Sequence, residues 1–263
     1  MRTGVVLPTF RDTPDEAFAA ASESVAAGVD GVFCYDHIWP IGQPDRPALA
    51  PFPVLAALAT MLVPNAGAEA GPFLGTLVAR IGLVPNAVLA AQFRALEGLA
   101  PGRVIAGLGT GDRLSEEENL AYGIPYAPAA ARRSQMVELG RELAGAGLPV
   151  WMAGGIAGRM EEARAAGAAL NLWDFEPALV AERSAGPDGL EVTWAGPPPS
   201  GSPPLADRLR ALHDAGATWA VFGWPVDVEE LAAAGRALGG TPRIGRAPGS
   251  ASAPRSGGAV AGS

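Results

Sequence analysis

The sequence contains no lysine, so all 19 of its basic residues are arginines, and 27 acidic residues bring the formal net charge to −8. The absence of lysine excludes Schiff-base chemistry on a lysine amine and any P-loop that needs a lysine for phosphate binding. An acidic chain without a basic stripe also argues against nucleic acid as a partner. The composition therefore predicts a protein that does not bind nucleic acid.

Cysteine and long apolar runs are also scarce. Cys34 is the single cysteine, which excludes a disulfide framework and a thiolate metal cluster. It lies inside an apolar run, which favours a buried, unreactive thiol over a nucleophile. No window holds about 18 uninterrupted apolar residues, and the N-terminus shows no charged-then-apolar signal pattern. We therefore expect a soluble, cytoplasmic protein with no membrane partner.

The 263 residues contain short apolar runs that alternate with longer stretches rich in alanine and leucine. Near-continuous apolar runs are typical of parallel strands that are buried on both faces. Eight candidate strands with interleaved helices predict an α/β fold, a compact (β/α)8 TIM barrel with few insertions, over residues 1–238. The candidate strands are Gly4–Pro8, Gly31–Tyr35, Phe73–Val78, Arg103–Leu108, Pro149–Ala153, Ala169–Leu172, Leu190–Trp194 and Trp219–Phe222.

Two further features bear on this organisation. An open doubly wound sheet is the alternative fold, but the turn Pro8–Thr13 after the first strand has no glycine, which disfavours a dinucleotide-binding site. Residues 239–263 are rich in glycine, serine, alanine and proline, and this composition predicts a disordered tail.

The segment that follows the second candidate strand reads Tyr35-Asp36-His37-Ile38-Trp39 and holds one of only two histidines. In a barrel, reacting groups gather at the carboxyl ends of the strands. The alternation of side chains predicts that His37 reaches over the barrel mouth, while Asp36 turns back to orient it or to cap backbone groups. A purely structural histidine remains the alternative.

The segment after the fourth candidate strand, "VIAGLGTGDRLSEEE", has glycines at every second position from Gly107 to Gly111. Such glycines let the backbone approach a flat or charged ligand without interference from Cβ atoms. Asp112 supplies a carboxylate at the mouth, or else caps a turn. Ser115 and Glu118 have the spacing of a helix capping box.

A glycine pair, Gly154 and Gly155, follows the fifth candidate strand and precedes a helical stretch. Free backbone N–H groups at the start of a helix favour anions, so this pair predicts a phosphate cradle. A lone glycine pair is weak evidence, but a second glycine-rich segment at the same barrel mouth strengthens it.

Four segments together resemble the bacterial luciferase-like oxidoreductase superfamily, and most closely its branch that uses the deazaflavin coenzyme F-420, which includes actinobacterial glucose-6-phosphate dehydrogenases. These segments are "YDHIWP", "LGTLVARIGLVPNAVLAAQFRALEGLAPGR", "VIAGLGTGDRLSEEENLAYGIP" and "PVWMAGG". The resemblance implies a (β/α)8 barrel that binds a flavin or deazaflavin in its mouth. It implies catalytic roles for His37 and Asp112 and a non-proline cis peptide between Leu77 and Val78.

The resemblance also implies which residues contact the cofactor, and Trp39 is expected as a substrate contact. The expected cofactor-binding residues are Asp36, Thr76, Leu77, Val78, Gly109, Thr110, Gly111, Ser115, Ala153, Gly154 and Gly155. No metal site is expected. Superfamily members favour dimers, so a homodimer is a further possibility.

Three functions stay open at this point. The first is hydride transfer between coenzyme F-420 and a small organic substrate. The second is an FMN-dependent two-component monooxygenase, and the third is a non-catalytic barrel that binds a cofactor. Glucose 6-phosphate is not the expected substrate, because the dehydrogenases use lysines for its phosphate and place a glutamate where Asp112 stands.

Overall fold

Parallel strands close into a barrel in the computed structural model, which describes residues 1–40, 42–63, 71–111, 113–154, 159–186 and 189–239. Consecutive strands are neighbours, the last strand pairs with the first, and the third pairs with the fifth, so the sheet has no free edge. The strands are β1 Arg2–Val6, β2 Gly31–Cys34, β3 Phe73–Thr76, β4 Ala79–Arg80, β5 Val104–Gly109, β6 Val150–Ala153, β7 Ala169–Trp173, β8 Val192–Gly196 and β9 Ala217–Gly223. Because β3 and β4 are two parts of one barrel strand, the architecture is the predicted (β/α)8 TIM barrel.

Helices cover the outside of the barrel and connect the strands. In the described part of the chain they are α1 Asp15–Ala27, α2 Pro51–Leu62, α3 Asn86–Leu99, α4 Arg113–Ala121, α5 Ala129–Gly145, α6 Arg159–Ala166, α7 Pro177–Ser184, α8 Leu205–Asp214 and α9 Val228–Ala237. Three helices end at glycines with left-handed backbone angles, Gly28, Gly167 and Gly216. Glycine adopts this conformation without strain and is therefore a common residue at helix ends. None of the described helices has both the length and the apolar character that a membrane span requires.

Aromatic side chains fill the barrel interior. Phe33, Trp151 and Trp219 come from β2, β6 and β9, and their ring centroids lie 5.2–6.0 Å apart. Side chains from such distant strands can meet only inside the barrel. Cys34 points the other way, into the layer between barrel and helices, where burial raises the pKa of its thiol. This confirms the expectation of a buried cysteine.

The structure differs from the predicted bounds by up to two residues at several strands, among them β1, β8 and β9, and it breaks one strand in two. The first strand covers Arg2–Val6 rather than Gly4–Pro8, because residues 2 and 3 already pair with β9. The third strand was expected to be continuous from Phe73 to Val78, but it is interrupted after Thr76. The expected cis peptide between Leu77 and Val78 lies in this interruption. Of the predicted tail, residues 239–263, all but Gly239 lie outside the described residues, so the tail stays a prediction.

Candidate functional site

A cavity of about 410 Å³ opens at the carboxyl ends of the barrel strands. Its volume falls within the range that is usual for small-molecule sites, about 300–1,000 Å³. Its walls are mostly apolar, with a few polar groups from β2, β4 and β7. The lining residues are Phe10, Tyr35, Asp36, His37, Leu77, Val78, Arg80, Gly109, Gly111, Ser115, Ala153, Asn171 and Trp173.

His37 lies three residues beyond the end of β2, and its imidazole forms part of the cavity wall. Its Nδ1 lies 2.7 Å from Oε1 of Glu118. An ionised carboxylate only accepts hydrogen bonds, so it fixes the proton on Nδ1 and leaves Nε2 as the acceptor. The ring is thus held in the tautomer that a general base requires.

Glu118, on α4, is the centre of a buried polar network. Its side chain is 1% exposed. Oε2 accepts a hydrogen bond from the backbone N–H of Ile38 at 2.7 Å and lies 3.0 Å from Nη1 of Arg80. Burial alone would raise the pKa of this carboxyl, but the contacts with His37, Ile38 and Arg80 outweigh burial and lower it. Glu118 is therefore ionised at neutral pH despite its burial.

Glu118 does not form the predicted capping box with Ser115. Helix α4 begins at Arg113, so Ser115 already lies within its first turn. The carboxylate of Glu118 contacts the segment after β2 rather than a helix terminus. A signal for its true role was present: Ser115, Glu118 and Asn119 have helical spacing and share the buried face of α4.

Asp36 and Arg80 join the ends of β2 and β4. Asp36 accepts a hydrogen bond from the backbone N–H of Arg80 at 2.8 Å, and burial raises the pKa of its carboxyl. The guanidinium of Arg80 is 3% exposed and is paired through Nη1 with Glu118. Its Nε and Nη2 are buried and have no hydrogen-bond partner among the residues that the structure describes.

The glycines of β5 have a different primary role from the one that the sequence suggested. Gly75 pairs with Ile105 and Ala79 with Leu108, so β3 and β4 contain one more residue than the facing part of β5. A Cβ on Gly107 would lie 2.0 Å from the carbonyl oxygen of Thr76. These glycines therefore make room for the bulged neighbouring strand.

Gly109 and Gly111 combine this packing role with a place in the cavity wall. A Cβ on Gly109 would lie 2.3 Å from Cγ2 of Val78. Gly111 has a φ of +67°, and a Cβ there would lie close to both Ser115 and Arg80. Glycine is therefore required at these positions by the packing of the protein itself. A ligand could still approach the backbone closely there.

The structure brings most of the predicted site residues together at one place. Those that line the cavity are Asp36, His37, Leu77, Val78, Gly109, Gly111, Ser115 and Ala153. Asp112 and Gly155 lie outside the described residues, so their predicted roles stay predictions. Thr76, Thr110, Gly154 and Trp39 are not among the residues that line the cavity.

Thr76 and Gly154 form hydrogen bonds within the barrel sheet instead. The hydroxyl of Thr76 donates to the carbonyl of Gly107 at 2.7 Å, which links the strands at the bulge. The backbone N–H of Gly154 donates to the carbonyl of Asn171 at 3.0 Å, so this group continues the β6–β7 pairing. It is therefore already used and is not a free donor for a phosphate.

Thr110 and Trp39 are both buried. The carbonyl of Thr110 accepts a hydrogen bond from Nε of Arg132 at 2.7 Å. The indole of Trp39 packs against the ring of Tyr122, with the centroids 6.0 Å apart. Both residues hold loops in place around the mouth.

Three aromatic residues in the cavity wall were not predicted as site residues. The rings of Phe10 and Tyr35 are stacked, with centroids 5.5 Å apart and planes 4° from parallel. Trp173, at the end of β7, meets Tyr35 edge-on at 6.0 Å. Burial raises the pKa of Tyr35 to about 12, so its phenol is neutral at physiological pH.

Comparison with protein-family models finds no match, and comparison with the sequences of curated proteins finds none either. Solved structures do match. A coenzyme F-420-dependent secondary alcohol dehydrogenase, bound to a coenzyme–acetone adduct, has a TM-score of 0.68 at 14% identity, covering 90% of this chain and 97% of that one.

Two other solved structures are similar over almost their whole length. The coenzyme F-420-dependent tetrahydromethanopterin reductase from Methanopyrus kandleri has a TM-score of 0.62 at 14% identity, covering 89% of this chain and 96% of that one. A monooxygenase from Streptomyces bottropensis has a TM-score of 0.60 at 16% identity, and the match covers 90% of this chain and 97% of that one. At these identities the likeness establishes a shared fold.

Proposed function

We propose that this chain is a luciferase-like oxidoreductase that transfers a hydride between coenzyme F-420 and a small organic substrate. The observation that carries the proposal is His37, which is held by the buried carboxylate of Glu118 at the wall of an apolar cavity in the barrel mouth. An oriented imidazole at the wall of an apolar cavity is suited to proton transfer. The structural similarity to two coenzyme F-420-dependent enzymes supports the choice of cofactor.

The described residues fit the headgroup of such a coenzyme. Leu77, Val78, Gly109 and Ala153 give one side of the cavity an apolar surface with little side-chain bulk, which suits a flat ring system. Ser115 and Gly111 lie beside this surface, in position for the polar chain that follows the ring. The role of Gly155 in holding that chain and the catalytic role of Asp112 remain predictions from the resemblance.

The bound coenzyme would supply two electrons as a hydride, which is chemistry that no side chain of the protein provides. A substrate carbonyl that gains a hydride at carbon must also gain a proton at oxygen. His37 supplies this proton from Nε2 in the reducing direction, and neutral Nε2 removes it in the oxidising direction.

Glu118 and Arg80 set the charges that surround His37. The carboxylate of Glu118 contacts Nδ1 of His37, while Arg80 offsets part of that negative charge from the other side. Glu118 is thus a carboxylate partner of His37, and the catalytic role expected of Asp112 stays a prediction. The burial of Glu118 and Arg80 keeps water away from this ion pair, which strengthens their interaction.

The direct test is a spectroscopic assay of the purified chain with oxidised and reduced coenzyme F-420, a panel of alcohols and ketones, and titration of the coenzyme. We expect micromolar or tighter binding and a change in coenzyme absorbance with at least one substrate. Binding without any turnover across the panel would favour the non-catalytic barrel, and the absence of binding would contradict the proposal.

An FMN-dependent monooxygenase is the second candidate, and the similarity to the Streptomyces bottropensis monooxygenase supports it. The same apolar surface would accept an isoalloxazine ring. Dissociation constants for FMN and coenzyme F-420, measured side by side, separate the two. Tighter binding of FMN together with oxygen consumption would establish the alternative.

A further inference from the structure

The aromatic wall of the cavity has a definite position relative to the barrel. Tyr35 follows β2, and Trp173 ends β7. In the closed order β2–β1–β9–β8–β7, these strands lie four steps apart in a barrel of eight, so they face each other across the mouth. The contact between Tyr35 and Trp173 therefore spans the mouth.

This contact divides the mouth into two unequal parts. The lining residues come from the segments after β1 and β2 and from β4, β5, β6 and β7 with their following loops, and none comes from β8 or β9. The cavity therefore lies over β3 to β6, with Leu77 and Val78 on one side and the aromatic residues on the other. A second flat molecule beside the coenzyme would have to lie between them.

The aromatic side is incompletely buried, as expected of a surface that a ligand covers. Trp173 is 44% exposed, although its ring contacts Tyr35. Phe10 is partly exposed, and its ring stacks on the ring of Tyr35. Stacking of a further ring against these side chains would bury apolar area and add favourable aromatic geometry.

The charges around the cavity disfavour an anionic ligand. Among its described lining residues the cationic candidates are His37 and Arg80, and both already contact Glu118. The remaining nitrogens of Arg80, Nε and Nη2, are buried, so they present no donor to the cavity. Asp36 adds a second carboxyl group to the same wall. Among the described lining residues, a carboxylate or phosphate on the substrate would therefore find no free cation to pair with once it is desolvated.

We propose that the substrate is a neutral compound with a flat apolar ring, which stacks against Phe10 and Trp173 and presents its reacting carbon toward His37. This inference rests on the proposed function, because it assigns the second flat site beside the coenzyme. It predicts rejection of phosphorylated and carboxylated compounds of the same shape.

The test uses 2-naphthol and 2-naphthoate, two probes of matched shape that are neutral and anionic at pH 7. Their binding to the coenzyme-loaded protein is measured by calorimetry. We expect 2-naphthol to bind without displacing the coenzyme and 2-naphthoate to bind at least about tenfold more weakly. Trp173→Ala should weaken 2-naphthol binding about tenfold, since a buried ring contact of this kind is lost.

Tyr122→Ala is the matched control, because Tyr122 is a 62% exposed aromatic residue that packs on Trp39 and does not line the cavity. It should leave the affinity for 2-naphthol unchanged. Equal or tighter binding of 2-naphthoate, displacement of the coenzyme by 2-naphthol, or full affinity in Trp173→Ala would overturn the inference while leaving the proposed function intact. Failure of the coenzyme itself to bind would instead contradict the proposed function.

Discussion

His37 is the residue on which the proposed chemistry depends most. His37→Asn keeps a side chain that can donate to Glu118 but removes the group that gains and loses a proton. We expect turnover to fall about 10²–10⁴-fold, the usual contribution of a general acid or base. Coenzyme affinity should change little, since the apolar surface around Val78 is untouched. Steady-state kinetics and coenzyme titration on the same preparation check both expectations.

Glu118 has an effect on stability that depends on pH. The pKa of its carboxyl is lower in the folded protein than in the unfolded chain. Its stabilising contribution is therefore fully present above the unfolded pKa, about 4.3, and is lost as the pH falls through the lower folded pKa. Glu118→Gln should reduce the free energy of unfolding at pH 7 by about 3 kcal/mol, because Arg80 loses its buried counter-charge.

The difference between Glu118→Gln and the parent protein should shrink in acid, where Glu118 becomes protonated in the parent as well. Urea unfolding at several pH values measures it. A difference that stays constant from pH 7 to acid would mean that the carboxylate is not the ionised partner of His37 and Arg80. The contribution of Asp36 to stability depends on pH in the opposite direction, because the pKa of its carboxyl is raised in the folded protein. That contribution is greatest in acid and is lost as the pH rises through the folded pKa.

At the scale of the elements, the bulge between β3 and β4 sets the position of the cavity wall. Gly107→Ala would place a Cβ 2.0 Å from the carbonyl oxygen of Thr76, a backbone atom that cannot move aside cheaply. We expect a loss of about 2–4 kcal/mol in the free energy of unfolding, as for other severe steric changes in a core.

Gly98→Ala is the control for this substitution. Gly98 lies near the end of α3 with no neighbouring atom within 4 Å of an added Cβ. Alanine there should stabilise the protein by about 0.5–1 kcal/mol, because glycine is a poorer helix former. Equal effects of the two substitutions in urea unfolding would contradict the packing role assigned to Gly107.

The sequence allowed prediction of the elements much better than of the contacts between them. Apolar runs such as Val32–Cys34 and the helix-ending glycine Gly28 identify strands and helices locally, so the barrel could be predicted. The contact of His37 with Glu118 joins residues 81 positions apart and depends on how α4 docks on the barrel. No local pattern contains that information, and Glu118 therefore looked like part of a helix cap.

At the scale of the whole molecule, a bound coenzyme should stabilise the folded barrel. A ligand that binds only the folded state at about 100 times its dissociation constant adds about 2.7 kcal/mol. For a chain of this size such a gain raises the melting temperature by several degrees. Coenzyme F-420 should therefore raise the melting temperature more than FMN at equal concentration, and thermal unfolding with each compound checks this. The homodimer suggested by the resemblance stays a prediction that light scattering can test.

The central claim is that a flat redox coenzyme lies in the barrel mouth beside His37. A crystal structure of the chain grown with coenzyme F-420 tests it most directly. We predict density for the ring system against Leu77, Val78 and Gly109, with Nε2 of His37 within about 3.2 Å of a ring or substrate atom. Density for the coenzyme elsewhere, or a cavity that stays free of it at saturating concentration, would contradict the account.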